Sequence, residues 1–433
     1  MLGKWAKVIL LTALLSGLCA SVQAFTTVTD GAAVVTPPAA QPVPPAAASG
    51  SATTASTPTT DFGVLPENNQ PPVRMALLLP LRSSVFGAAA DAVRTGFLTA
   101  SERKKDNIVI TIIETGDSAQ EVLNAYNDAS GKYDIIVGPL SRSAVTALVQ
   151  SAAVRKPTIA LGQPDLPDTA DQRLPRQMIM MGLSIEEEAR QVAAWVEHEK
   201  TPGKIFAVST NIAWQRRAVK AFTQQARQQG MAVENLELSV PNNALSATGL
   251  AQLGQRIQAE KPALLFVALD AAQTIQLRSA IGNDIALYGT SQLNPLTLTT
   301  ATAAINAAAN NAAANAATGT PPAPDNRLPE LDGVHLVDMP WQLQADNAAV
   351  MAYPRSVANN DVKQNADLER LYALGIDAFR VANEIAQQRS GFDIDGVTGQ
   401  ITVNMAAGAT YFQRKETQAV YQDGVAVPVA NQR

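Results

Sequence analysis

Short apolar runs alternate along the chain with segments whose apolar positions recur every three or four residues. Residues 75–81 read MALLLPL, a continuous apolar run of strand length, and Phe86, Val93 and Phe97 follow it at helical spacing. An uninterrupted apolar strand is typical of a strand covered on both faces. The same pattern predicts further strands at 108–114, 134–140 and 157–162, with helices at 119–130 and 143–153. Regular strand–helix alternation predicts a parallel, doubly wound sheet.

A second strand–helix series follows a helix that begins after Ser184, which forms a capping box with Glu187. Its predicted strands are 205–210, 236–240, 264–269 and 286–288, and its predicted helices are 215–230 and 248–260. A later strand at 333–339, a helix at 370–387 and short β pieces over 399–428 complete the pattern. Two similar α/β blocks joined by several crossovers predict a bilobed, hinged protein with a cleft between its lobes.

The domain organisation follows from composition as well as from periodicity. Residues 26–72 are mostly Ala, Pro, Thr, Ser and Val, and they carry too little apolar surface to offset ordering entropy. Residues 299–326 are mostly Ala, Asn and Thr without an apolar stripe, which predicts a surface insertion. We therefore predict a signal peptide at 1–24, a tether at 25–72, and a bilobed domain at 73–433, with lobe 1 at about 73–183 plus 333–390 and lobe 2 at about 184–298 plus the C-terminal strands.

Cys19, the one cysteine of the chain, lies in the predicted leader. Lys4, Lys7 and the apolar run at 8–15 form a secretory leader that is too short to span a bilayer. Val22-Gln23-Ala24 offers a small-x-small cleavage site, whereas Leu18 occupies the place where a lipoprotein leader has a small residue. This pattern favours release after Ala24 and leaves lipidation at Cys19 as the alternative.

Charge and size restrict the function further. The chain has 433 residues, of which 46% are hydrophobic, and this is enough for two lobes with ordinary cores. A net charge of −5 recruits no polyanion, so nucleic acid is not an expected partner. No second apolar run approaches the length of a membrane span, so membrane attachment is expected only if Cys19 is lipidated.

The search for catalytic residues finds no constellation. The two histidines have no evident partners, and the S-x-x-K match at 101–104 lacks the companion S-D-N and K-T-G motifs. Glu186, Glu187 and Glu188 fall in a first helical turn, where they complement the helix dipole. FDIDGVTG at 392–399 lacks a complete calcium loop. We expect no catalytic residues, no metal and no cofactor, and therefore a protein that is not an enzyme.

The predicted cleft is the remaining candidate site. Ligands of open α/β sheets bind at the carboxyl ends of the strands. The polar residues at those ends are Arg82, Ser83, Ser84, Ser141, Ser143, Gln163 and Asp165 in the first block, and Asn211, Asp270 and Ser291 in the second. Hydroxyls and helix amino termini on one side are able to hold a carboxylate, and Asp270 opposite them an amine. Ordinary turn and cap roles are the competing interpretation of the same residues.

Several longer stretches resemble the LppC family of penicillin-binding protein activators. They include IVGPLSRSAVTAL, MGLSIEEEARQVAAW, DGVTGQITV and, most specifically, DMPW at 338–341 and RLYALGIDAF at 370–379. The resemblance implies a type I periplasmic binding protein fold from about Val73 onward. It also implies a non-enzymatic envelope protein that stimulates a class A penicillin-binding protein, a bifunctional peptidoglycan synthase. Members of the family are usually outer-membrane lipoproteins, so the resemblance favours an anchor at Cys19, whereas the leader itself favours release into the periplasm.

Two functions therefore stay open. One is a cell-wall regulator, and the other is a solute-binding protein that delivers an amino acid or similar small molecule to an ABC transporter. WQRRAVK at 214–220 is predicted to open a helix near the mouth of the cleft. Trp214, Arg216 and Arg217 are the candidate contact residues for the synthase, because Trp and Arg are enriched in interface hot spots. A solvated helix face is the competing interpretation.

Overall fold

The structure is a computed structural model, and the residues that it describes are 71–104, 107–166, 174–200, 202–297, 327–355, 365–405 and 410–429. All of them belong to one compact unit, Asn68–Arg433. The predicted leader and the predicted insertion lie outside the described residues, as does the predicted tether apart from Pro71 and Pro72.

The first sheet has five parallel strands in the order β2-β1-β3-β4-β5. The strands are β1 (Val73–Leu79), β2 (Ile108–Glu114), β3 (Ile135–Val137), β4 (Thr158–Ala160) and β5 (Met178–Met180), and the helices between them are α1 (Gly87–Glu102), α2 (Ala119–Lys132) and α3 (Arg142–Gln150). Met75 to Leu79 in β1 are fully buried. This confirms the prediction of a strand covered on both faces.

The second sheet has seven strands in the order β15-β14-β10-β9-β8-β6-β7. Its parallel strands are β6 (Ile205–Thr210), β7 (Val233–Leu238), β8 (Leu264–Val267), β9 (Leu287–Gly289) and β10 (His335–Asp338), and β14 (Thr417–Gln422) and β15 (Val425–Pro428) add an antiparallel edge. Its helices are α4 (Ile185–His198), α5 (Ala213–Gln228), α6 (Ala247–Glu260) and α7 (Ala271–Ile281). The two parallel sheets confirm the predicted doubly wound fold.

The remaining α-helices and strands are α8 (Pro340–Leu343), α9 (Ala348–Met351), α10 (Ala366–Ala386) and a three-stranded antiparallel sheet of β11 (Gly391–Asp395), β12 (Gln400–Asn404) and β13 (Tyr411–Lys415). Helices α9 and α10 and this small sheet pack on the first sheet, whereas α8 contributes Trp341 to the core of the first sheet and Leu343 to that of the second. Leu374 and Phe379 of α10 share one hydrophobic core with Leu77 of β1 and with Ile401 and Val403 of β12. The first lobe is therefore assembled from both ends of the chain.

Helices α1 and α10 touch backbone to backbone at two glycines. A Cβ atom on Gly96 would lie 1.9 Å from the carbonyl oxygen of Tyr372, and one on Gly375 would lie 2.1 Å from that of Val93. Only glycine permits this approach, which brings Phe97 of α1 edge-on to an aromatic ring of α10.

Two predicted lobe boundaries differ from the structure. The predicted lobe 1 includes 333–390, but His335–Asp338 lies in the second sheet because its main chain bonds to β9 and β14. The predicted lobe 2 includes all the C-terminal strands, but β11–β13 contribute to the core of the first sheet. The chain thus crosses between the lobes at 181–184, 338–341 and 415–417.

Candidate functional site

The crossovers meet around a buried ion pair between Arg370 and Asp338. Arg370 Nε donates to Asp338 Oδ1 at 3.1 Å and Nη2 donates to Oδ2 at 2.7 Å, which is a two-pronged contact. The side chains are only 6% and 1% exposed. Asn365 caps α10 and so fixes the helical turn that presents Arg370 to the end of β10.

Main-chain and side-chain groups together complete the hydrogen bonds of this pair, and Arg370 Nη1 donates to Asp367 Oδ1 at 3.0 Å. Arg370 Nη2 also donates to the carbonyls of Ser291 at 3.1 Å and Asn294 at 2.8 Å. Asp338 accepts from Asn294 Nδ2 at 2.9 Å and from the main-chain N–H of Met339 at 2.8 Å. Burial alone would lower the pKa of Arg370, but Asp338 raises it above its ordinary value. A buried ion pair that is satisfied in this way fixes the relative position of the elements that carry it.

A second buried guanidinium, that of Arg414, joins the first and third crossovers. It donates to the carbonyl of Met181 at 2.7 Å, to that of Gly182 at 3.5 Å and to Thr398 Oγ1 at 3.0 Å. Desolvation lowers the pKa of Arg414. Thr398 is in turn held by Asp377, whose Oδ2 accepts its main-chain N–H and its hydroxyl, each at 2.7 Å.

Two buried glutamates complete this group of charges. Glu188 Oε2 accepts the main-chain N–H of Ser291 at 2.8 Å, and burial raises the pKa of Glu188 to about 7. Burial also raises the pKa of Glu416 well above its ordinary value, with the neighbouring Glu188 carboxyl as a further cause. We call these residues the crossover cluster: the carboxyls of Asp338, Asp377, Glu188 and Glu416 and the guanidiniums of Arg370, Arg380 and Arg414.

Glu186, Glu187 and Glu188 are predicted to complement the dipole of α4 together, but their side chains lie in three different environments. Glu188 is buried in the crossover cluster. Glu187 forms a solvent-exposed ion pair with Arg190 at 2.6 Å. Glu186 Oε1 accepts from Arg142 Nη2 at 3.2 Å and from Arg217 Nε at 2.7 Å. Burial alone would raise the pKa of Glu186, but its own main-chain N–H and the two arginines hold it below its ordinary value.

The predicted cleft residues of the first lobe divide into four that are engaged in turns, helix caps or contacts with other segments and three that are exposed. Ser83 Oγ accepts the N–H groups of Val85 at 3.0 Å and Phe86 at 2.7 Å, and Ser141 caps α3. Gln163 Nε2 donates to the carbonyl of Gly182 at 3.1 Å. Arg82 forms an ion pair with Glu121, and Ser84, Ser143 and Asp165 are exposed.

The predicted cleft residues of the second lobe also include both engaged and exposed side chains. Asp270 forms a capping box with Gln273 at the start of α7, and Asn211 is exposed. Gln273 also accepts from Gln215 Nε2 at 2.7 Å in a buried contact, and Gln215 Oε1 accepts from the main-chain N–H of Thr210. Sequence reasoning missed this relay, although the D-x-x-Q spacing at 270–273 is a recognisable cap signal. At the start of α5, Trp214 is half-buried, Arg216 is exposed and Arg217 is held by Glu186.

Two cavities flank the crossover cluster, and three of the ten predicted cleft residues line one or the other. One, of about 530 Å³, contains Gln163 and is bounded by β5, the first turn of α4 and β13. The other, of about 550 Å³, contains Asp270 and Ser291 and is bounded by the starts of α7 and α10. The predicted residues therefore do not meet in a single pocket. No group of three or more candidate metal ligands is found in the part of the chain that the structure describes. Among the same residues, no helix has the length and apolar character that crossing a membrane requires.

The sequence and the fold are similar to those of known proteins. Penicillin-binding protein activator LpoA from Vibrio cholerae is 29% identical over 354 residues, which are 77% of this chain and 55% of that protein. The chain thus spans about half the length of the curated relatives it matches. A Chromobacterium violaceum structure titled "putative branched-chain amino acid ABC transporter" is 29% identical, with 81% of this chain and all of that chain covered at a TM-score of 0.59.

The fold is also that of the C-domain of LpoA from Haemophilus influenzae, which is described as a regulator of PBP1A. This structure is 20% identical, covers 82% of this chain and 100% of its own, and gives a TM-score of 0.59. The family described as "LppC putative lipoprotein" matches residues 46–424. The family-specific stretches 338–341 and 370–379 supply Asp338, Arg370 and Asp377 to the crossover cluster. The chain belongs to the LppC family.

Proposed function

We propose that this protein is a non-enzymatic regulator of the cell envelope that stimulates a class A penicillin-binding protein through its bilobed domain. Membership of the LppC family and the activator names of its relatives support this function. The protein acts in the periplasm, either released after Ala24 or anchored to the outer membrane through Cys19.

The observation that carries the proposal is the engagement of the predicted cleft residues in local structure. The side chains of Ser83, Ser141 and Asp270 form the hydrogen bonds of turns and helix caps. A transport receptor needs convergent polar groups that are free to enclose its solute. A protein whose strand-end polar groups are in part committed to turns and caps, and do not converge on one cavity, is better suited to act through its surface.

We place the contact surface at the start of α5. Trp214 and the exposed Arg216 combine an aromatic anchor with an unshielded cation, a composition typical of interface hot spots. Arg217 supports this surface through its ion pair with Glu186.

A reconstituted synthase assay tests the proposal directly. The purified chain is added to a class A penicillin-binding protein with lipid-linked substrate, and glycan polymerisation and peptide crosslinking are followed separately. We expect at least one of the two rates to rise severalfold in a saturable manner. Unchanged rates for both reactions at saturating protein would refute the proposed function.

Solute binding is the second candidate, supported by the 29% identity to a chain titled as a branched-chain amino acid transporter. A thermal-shift series with the branched-chain amino acids tests it. We expect no shift for the regulator, because only a ligand that binds the native state raises its stability, by an amount that grows with the logarithm of ligand concentration above the Kd. A concentration-dependent rise in the melting temperature with one of these amino acids would favour the transport function.

A further inference from the structure

The cavity of about 530 Å³ beside β5 has an apolar part and a charged part. Met178 and Ile179 line it, and Leu174 and Tyr411 at its rim are 42% and 50% exposed. Exposed apolar side chains around an open cavity are typical of a surface that binds another molecule.

Most charges in the wall of this cavity are already paired. Arg142 pairs with Glu186 at 3.2 Å, and Arg190 pairs with Glu187 at 2.6 Å. Arg414, which also lines the cavity, donates to main-chain carbonyls and to a threonine hydroxyl. Glu416 remains as the carboxyl to be accounted for.

Glu416 is a buried carboxyl in which one side-chain oxygen, Oε2, lacks a hydrogen-bond partner within the described part of the chain. It lines the cavity and is 9% exposed, and its main-chain N–H donates to Gln191 Oε1 at 2.9 Å. A buried polar atom without a partner is costly, and a buried carboxylate is more so.

The crossover cluster contains more carboxyls than guanidiniums, so it lacks positive charge. Four carboxyls face three guanidiniums, of which Arg380 pairs with Asp377 at 3.1 Å and Arg370 with Asp338 at 2.7 Å. The cluster is therefore one positive charge short of neutrality. A proton held between the neighbouring carboxyls of Glu188 and Glu416 supplies that charge when no ligand is bound, which agrees with the raised pKa of both groups.

We propose that this cavity binds a molecule carrying a primary ammonium group, which replaces the proton beside Glu416. On binding, the ammonium nitrogen donates hydrogen bonds to the Glu416 carboxylate, and the displaced proton leaves to solvent, so the charge of the site is unchanged. The rest of the ligand lies against Leu174 and Tyr411. This site is separate from the predicted cleft residues Asp270 and Ser291, and it does not depend on the proposed synthase partner.

The charged neighbours of Glu416 define its pH dependence. They are Glu188 of α4, Asp338 of β10, Arg370 of α10 and Arg414 of β13. With Glu416 itself included, three carboxyls face two guanidiniums, so an incoming cation is favoured once Glu416 loses its proton. Ammonium affinity therefore rises with pH as Glu416, whose pKa lies well above its ordinary value, loses its proton while the ligand amine is still protonated.

Isothermal titration calorimetry with matched ligand pairs tests the proposal and distinguishes two sources of the ammonium group. Trialanine amide is compared with its N-acetyl derivative, and glucosamine with N-acetylglucosamine. We expect the ammonium member of at least one pair to bind at least tenfold more tightly than its acetylated counterpart. Titration in buffers of different ionisation enthalpy should show about one proton released per ligand bound. Equal binding within both pairs, or no binding at millimolar concentration, overturns the proposal.

Two variants localise the effect. Glu416→Gln keeps the size of the side chain and removes the carboxylate charge that the ammonium group would neutralise. It should therefore abolish both the ammonium preference and the proton release. Glu187→Gln on the same rim removes an exposed, paired carboxylate and should change the preference less than twofold. A Glu416→Gln protein that folds, by circular dichroism, and retains the tenfold preference overturns the proposal. The proton release of the unaltered protein decides the matter if this variant does not fold.

Discussion

Arg370 and Asp338 form a two-pronged buried ion pair that joins the start of α10 to the end of β10. One residue belongs to a helix packed on the first sheet, and the other to a strand of the second sheet. The pair therefore connects the two lobes at the point where the chain crosses between them.

Arg370→Ala should destabilise the protein by about 3–5 kcal/mol, because it leaves the Asp338 carboxylate buried without its cation. Chemical denaturation followed by circular dichroism measures this loss. Arg389→Ala is the matched control, since Arg389 is 57% exposed in its pair with Glu384 and its loss should cost less than about 1 kcal/mol. Similar losses for the two variants would contradict a structural role for the buried pair.

Alanine at Gly96 should destabilise the contact between α1 and α10. Its Cβ would lie 1.9 Å from a main-chain oxygen, so the helices must separate, at a cost of about 1–3 kcal/mol or more. Gly254→Ala in α6 meets nothing within 4 Å and should instead stabilise the protein by up to about 1 kcal/mol. Thermal unfolding should therefore show a lower melting temperature for Gly96→Ala and a higher one for Gly254→Ala.

Stability should fall as the pH rises from about 4.5 towards 7, because Glu188 has its pKa raised to about 7 in the folded state. Over this range the folded chain holds more protons than the unfolded chain, so deprotonation favours unfolding. Glu188→Gln should flatten the dependence by about 2–3 kcal/mol. Urea denaturation at several pH values gives both curves, and parallel curves for the two proteins would exclude Glu188 as the source.

The proposed synthase contact is tested by the double change Trp214→Ala with Arg216→Glu. We expect stimulation of the synthase to fall severalfold while the melting temperature stays within a few degrees, since neither side chain is buried in the core. Lys132→Glu in α2, 61% exposed, is the control for a charge reversal elsewhere on the surface. Full stimulation by the double variant would remove this surface from the proposal.

The fold was predictable where a single stretch of sequence determines it. The apolar run MALLLPL predicts a buried strand by itself, and its residues Met75–Leu79 are fully buried in β1. Helix α7 was not predicted, because its apolar residues do not gather on one face. Strand β7 begins at Val233 rather than 236, because pairing with β6 extends it beyond its apolar core.

The site was less predictable, because it depends on partners far apart in the sequence. Nothing near Arg370 indicates that Asp338 is its partner, and nothing near Glu188 indicates a contact with Ser291. Asp270 shows the opposite problem, since a capping carboxylate and a ligand-binding carboxylate have the same identity and the same place at a strand end.

The glycine contact between α1 and α10 has a consequence for the order in which the protein folds. Gly96 lies near the start of the first lobe and Gly375 near its end, with the whole parallel part of the second sheet between them. Contacts between such distant residues form slowly, because a long loop must close before they are gained. During synthesis the apolar face of α1 therefore stays uncovered until most of the chain has been made, and the lobe that begins first is still incomplete when all five parallel strands of the second sheet have been synthesised.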